Sequence, residues 1–156
     1  MSTVSTEKFW QDFLKEKGLL PDTKYTEAFY FGSNEISAES LLMLVLEGKK
    51  TATSSSVLSY EISGEEPPKA GDYSIVTNWA GEPFCVIETK ATQIIKFNEM
   101  TFDICKREGE DDCLESWQNN HRYYFSFEGK ELGYAFSEDM KIIFEDFEVV
   151  YKIGSV

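Results

Sequence analysis

The chain has 156 residues, 42% of them apolar, which suits one domain with a single core. Fifteen basic against twenty-eight acidic side chains leave a formal charge of −13, so a phosphate polymer approaches against the long-range field and tight binding to duplex DNA is not expected. A small nucleoside or a short single strand meets a weaker objection, because a local basic pocket acts within a Debye length of about 10 Å.

The stretch from Met1 to Glu7 has neither a basic start nor an apolar core, and no run approaches the ~18 apolar residues of a membrane span, so a cytoplasmic protein is expected. Ser5 suits the cap of a helix carrying Phe9, Trp10, Phe13 and Leu14 on one side, with Gly18 past its end and Pro21 beyond. Residues 1–24 are therefore expected to form a helical arm on a domain spanning 25–156. A short strand, Ala28 to Phe31, precedes a second helix, for which Ser37 is the expected cap and Leu41, Leu42, Val45 and Leu46 recur at helical spacing until Gly48.

Gly48-Lys49-Lys50-Thr51-Ala52-Thr53-Ser54-Ser55-Ser56 then places two amines and five hydroxyls in what is expected to be one turn, a composition for touching a ligand. Glu61 to Pro68 suits a mobile loop over a site. Lys69 to Asp72 turns into a strand, Tyr73 to Trp79, and Ala80 to Pro83 turns again into a long β-rich run, Phe84 to Phe97, which completes a hairpin. Asn98 is the expected cap of a short helix through Phe102 and Cys105, closed by Gly109. Asp112 and Glu115 have capping-box spacing for a longer helix through Trp117, His121 and Phe125. Met140 to Ile153 ends the pattern as a strand. Strands before and after the helices give an α+β class and not a βαβ repeat.

Three cysteines without a paired CxxC spacing and one histidine supply too few ligands for structural zinc, so reduced thiols are expected. Glu108, Glu110, Asp111 and Asp112 are oxygen-rich enough for Mg²⁺, but capping and solvation account for them more simply. No metal and no other cofactor is expected, with a divalent cation as the minor alternative. Gly48-Lys49-Lys50-Thr51 is not a P-loop, because Met43 stands where a glycine is required and the motif lies at a helix C-terminus. Cations there answer the helix dipole, worth ~0.3–1 kcal/mol each, which explains a lysine but not the hydroxyls. A Thr- and Ser-rich strand facing water remains the plain alternative. Trp117, His121, Tyr124 and Phe125 share one helical face, a pattern more common in cores than in pockets.

The order Gly-Lys-Lys-Thr-Ala-Thr, then Pro68-Lys69-x-Gly71-Asp72, Glu82 to Thr89, Glu108-Gly109-Glu110, and Leu114-Glu115-x-Trp117 with His121 and Phe125 resembles the ASCH domain family from about Phe31 to Val150. The resemblance implies a PUA-like mixed β-barrel flanked by helices, a fold shared with RNA-associated domains, and a role with a nucleoside, nucleotide or short single-stranded RNA. Some small relatives are amidohydrolases that remove an acyl group from N4-acetylcytidine with a Lys-x-x-Thr pair and a glutamate. By that pattern Lys50 and Thr53 are similar to the base and the nucleophile. Glu108 is the preferred third member, although Glu110 has the relatives' spacing to Leu114.

The implied chemistry has Lys50 take the Thr53 proton, Thr53 attack the amide carbonyl, amides of the Thr51 to Ser55 turn hold the oxyanion, and Glu108 protonate the leaving amine or orient Lys50. Lys49, Thr51, Ser54, Ser55, Glu110, Trp117, His121 and Tyr124 are the expected ligand contacts, with Trp117 and His121 edging the pocket and stacking on a base. A helix C-terminus and a charge of −13 favour a protonated lysine instead, which would be a clamp. The alternatives are single-stranded RNA binding or metal-assisted cleavage, with Lys49 and Lys50 on phosphates, and a non-catalytic module that reads a base.

Overall fold

Ser5 begins the first helix, α1 (Thr6–Lys17), in a computed structural model that describes residues 5–154. The Ser5 Oγ accepts from the Lys8 amide at 3.1 Å, and Gly18 closes the helix in the left-handed region at φ 68°. Phe9, Trp10, Phe13 and Leu14 bury their stripe against Ile75 and Val86, and the Trp10 indole donates to Thr23 O at 2.8 Å. Each such burial contributes about 1.5–3 kcal/mol, so the expected arm is a packed layer of the core. Residues 1–4 of that arm and 155–156 at the other end lie outside the described residues.

The sheet has five strands, β1 (Ala28–Phe29), β2 (Ala52–Ser56), β3 (Tyr73–Thr77), β4 (Pro83–Lys96) and β5 (Lys141–Lys152), in the order β1-β3-β4-β5-β2. β3 and β4 form the expected hairpin, β5 pairs antiparallel to β4, β2 adds antiparallel to β5, and β1 pairs parallel to β3. Register shifts at Val86/Ile87 and Thr89/Ala91 interrupt the β4–β5 ladder, and such bulges bend and twist long strands. The α+β class and flanking helices stand. The bent sheet is consistent with a PUA-like barrel, but it is not closed, since β1 and β2 do not pair among the described residues.

Local chemistry moves several helix boundaries. In α2 (Glu35–Leu46) the cap is Asn34, not Ser37: Asn34 Oδ1 accepts from the Ser37 amide at 2.9 Å, and the Ser37 hydroxyl answers the Asn34 amide in a capping box. α3 (Val57–Ser63), capped by Ser56 and closed by Gly64, occupies the start of the expected Glu61 to Pro68 loop. A single turn, α4 (Phe102–Cys105), follows Thr101 with no side-chain cap, so Asn98 does not serve. α5 (Leu114–Leu132) starts after Cys113, also without a side-chain cap, so the Asp112–Glu115 box is absent. The hydroxyl of Ser116 and the amide of Asn120 instead donate to Asp111 Oδ1 at 2.9 and 2.7 Å. Among the described residues no helix is long and apolar enough to cross a membrane.

Two consequences position the site. The segment expected to be a turn is β2, and its burial alternates: Ala52, Ser54 and Ser56 face the cluster of Trp117, Phe125, Ile142 and Phe144, whereas Thr53 and Ser55 face the other way. There they stand opposite Glu145 and Ile143 of β5. The second consequence is a close approach between 49–51 and 107–109. The Thr51 amide donates to Arg107 O at 3.0 Å, and a Cβ on Gly109, at φ 74°, would overlap Lys49 O.

Gly109→Ala is therefore expected to cost far more than Gly133→Ala, whose glycine is also left-handed (φ 100°) but has nothing within 4 Å. Urea unfolding should show a loss of about 1 kcal/mol for Gly133→Ala and at least about 2 kcal/mol more for Gly109→Ala. Equal losses would mean that the approach does not constrain the site.

Candidate functional site: a buried lysine between two glutamates

Lys50 is 1% exposed, and its ammonium has company on every side. Nζ donates to Ala52 O at 2.8 Å and to Glu110 Oε2 at 2.6 Å, lies 3.6 Å from Glu108 Oε1, and sits 5.1 Å from the centroid of the Phe31 ring. Two hydrogen bonds, an ion pair and an aromatic face are surroundings that suit a cation better than a base.

Glu108, at the end of a short 3₁₀ turn and equally buried, is the hub. Its Oε2 accepts from the Ser54 hydroxyl at 2.7 Å and the Trp117 indole at 2.8 Å, while Oε1 faces Lys50 and His121 Nε2 at 3.3 Å. Burial alone would raise its pKa. His121, Lys50 and the indole hydrogen bond outweigh that and hold it down to about 2. Burial likewise pulls His121 down, but Glu108 and Glu110 lift its pKa above the ordinary value. His121 Nδ1 lies 2.8 Å from Trp117 O, so both ring nitrogens face acceptors, an arrangement that favours the protonated ring. Two cations and two carboxylates balance. Glu110, with a quarter of its side chain exposed, connects the cluster to solvent.

The structure brings Lys50, Glu108, Glu110, Ser54, Trp117 and His121 together. Both glutamates touch the lysine, so the preference for Glu108 over Glu110 is not reproduced as a choice: one is a buried anchor, the other the open mouth. Thr53 is not hydrogen-bonded to Lys50 or Glu108, and the hydroxyl beside Glu108 is that of Ser54. The reason is the strand, whose alternation turns Thr53 and Ser55 to the Glu145 face. A turn of donor amides for an oxyanion is absent for the same reason, because this backbone pairs with β5. Trp117 does not edge a pocket: it is fully buried and stacked between Phe97 and His121.

The remaining expected contacts disperse. Lys49 is exposed beside Glu47 at 3.9 Å, Thr51 Oγ1 donates to Arg107 O at 3.2 Å, and Tyr124 donates to Glu128 at 3.3 Å. Among the described residues no group of three or more His, Cys, Asp or Glu side chains is arranged to hold a metal ion. Cys85, Cys105 and Cys113 are free thiols.

Sequence reasoning missed Glu145. It stands cross-strand from Thr53 and accepts from Thr89 Oγ1 at 2.6 Å. Burial raises its pKa, and the nearby Glu27 and Asp72 add to this against the opposing Thr89 bond and Lys50 charge. The available signal was its place, alternating inward with Ile143 and Phe147.

The sole histidine gives a clean test. Its NMR titration midpoint should lie above the ordinary ~6.5 in the wild type and fall in Glu108→Gln, where burial acts without that carboxylate. In linkage, the raised His121 pKa gives stability that is full below the unfolded value and lost as pH rises through the folded one. The depressed Glu108 pKa gives stability present above 4.5 and lost as pH falls toward about 2. A wild-type midpoint below 6.5 would contradict the charge assignment.

Comparison places these residues in a family. The ASCH domain family model matches residues 27–151. An ASCH domain crystal structure from Lactobacillus crispatus JV V101 is 34% identical, with 97% of this chain and 98% of that one covered and a TM-score of 0.82. A crystal structure of a protein from Enterococcus faecalis V583 is 32% identical, with 94% and 88% covered and a TM-score of 0.87. No curated protein matches the chain. On the family match and these two likenesses, the chain belongs to the ASCH domain family.

Proposed function

We propose that this ASCH domain hydrolyses the acyl amide of an N-acylated cytosine nucleoside, with Thr53 as nucleophile and Lys50 as a fixed cation rather than a base. The observation that carries the reading is the Lys50 ammonium, buried yet held 2.6 Å from a glutamate that reaches solvent. Burying a charge is costly unless it is paired, and the open Glu110 carboxylate offers a nucleobase amide an acceptor, while the Lys50 charge acts through its field, its N–H groups being taken. Glu108 positions Lys50 and the imidazolium from behind. The formal charge of −13 favours a small, uncharged substrate over an RNA chain.

In the reaction Thr53 Oγ attacks the acyl carbon, the C–N bond breaks to release the cytosine amine, and water cleaves the resulting ester to free a carboxylic acid. The Lys50 charge favours the oxyanion at each tetrahedral stage. A second reading has its own support. Tyr30 and Trp79 are both partly exposed, their rings 4.7 Å apart, at a groove of about 380 Å³ lined also by Phe29, Thr77 and Gly81. Such a platform suits stacking by a base, and so a module that reads without turnover.

Release of cytidine from N4-acetylcytidine separates the two. The hydrolase reading predicts wild-type turnover that drops by at least about 10³-fold in Thr53→Ala, with the variant still folded and still binding. Binding without turnover by the wild type, weakened in Trp79→Ala, would replace it with the second reading.

A further inference from the structure

Once Lys50 is a fixed cation and Glu108 accepts four contacts, the nucleophile needs another base. Thr53 and Glu145 are direct partners in the β2–β5 register, so their side chains leave the same face with Cβ atoms roughly 4.5–5.5 Å apart. Ser55, the other hydroxyl on that face, is paired with the apolar Ile143.

We propose that Glu145 is the general base for Thr53, an inference that rests on the hydrolase reading above. Thr89, buried on the neighbouring strand β4, donates to Glu145 Oε2 at 2.6 Å and fixes the carboxylate, with Oε1 not engaged by that bond. Burial and the neighbouring acids Glu27 and Asp72 make this carboxylate more basic than an exposed one, against the opposing Thr89 bond and Lys50 charge.

The proton balance closes with this one group. Glu145 takes the Thr53 proton as Oγ bonds to the acyl carbon, then passes it to the cytosine nitrogen as the C–N bond breaks. Water next attacks the ester, giving its proton to Glu145, and Thr53 Oγ leaves with that proton as the carboxylic acid departs. No oxidant, metal or co-reactant other than water enters.

Steady-state hydrolysis of N4-acetylcytidine across pH tests the role in wild type, Glu145→Gln, Glu145→Asp and Thr89→Val, each checked for folding by circular dichroism. Glu145→Gln should lose roughly 10²–10⁴ in kcat with little change in KM. The wild-type acid limb should lie above glutamate's ordinary ~4.3 and vanish in that variant. Glu145→Asp should recover part of the rate, and Thr89→Val should lose less than Glu145→Gln. If Glu145→Gln fails to fold, the Thr89→Val and Glu145→Asp rates decide: both equal to wild type would overturn the role. Wild-type turnover that Glu145→Gln retains within about threefold overturns this role alone, while no wild-type turnover overturns the hydrolase reading and this role together.

Discussion

Burying the Lys50 ammonium is the constraint from which the rest follows. An unpaired charge at 1% exposure would cost several kcal/mol, so the fold must bring carboxylates to it. It does so across a long separation in sequence, by pressing the 107–109 turn onto the 49–51 backbone, where only a glycine fits. Glu108 then carries a second cation, His121, on the first turns of α5, whose Trp117 and Phe125 fill the core beneath. Site and core share residues, and disturbing either one loosens the other. Removing one partner of such a buried pair typically costs about 3–5 kcal/mol, more than most surface changes.

This arrangement divides labour between the two faces of β2. Ser54 looks toward Glu108 and the helix, while Thr53 looks toward Glu145. One residue of strand therefore links an electrostatic anchor with a candidate reacting face. Lys50, just before the strand, serves both, since it bonds Glu110 and its charge reaches Glu145. The formal charge of −13 on the whole chain fits an uncharged ligand better than a phosphate chain.

Much of the fold was legible in the sequence because strong periodicity and punctuation coincide. The α1 stripe, the β3–β4 hairpin and the closing strand all formed with boundaries near those expected. Weak spots share a cause: several residues competed for the same local role. Asn34 captured the cap expected of Ser37, and at the start of α5 Asp111 accepts from Ser116 and Asn120 where a box between Asp112 and Glu115 was expected. The seven-residue α3 has too few turns to show a period. In the site, Lys50 and its glutamates were visible through spacing and family resemblance. The facing of Thr53 was not, because a strand and a turn impose opposite orientations on neighbouring hydroxyls, and Glu145 was hidden because an acid within a β-rich run is ordinarily solvated.

On the proposed function, a charged lysine presents an amide-bearing base to the Thr53 face, and a crystal structure of the Thr53→Ala variant with bound N4-acetylcytidine tests it. The expected result is the acyl carbonyl carbon within attacking distance of position 53, its oxygen toward Lys50, and the Lys50–Glu108–Glu110 contacts intact. A ligand seated only on the Tyr30–Trp79 groove, or a lysine released from both glutamates, would contradict it.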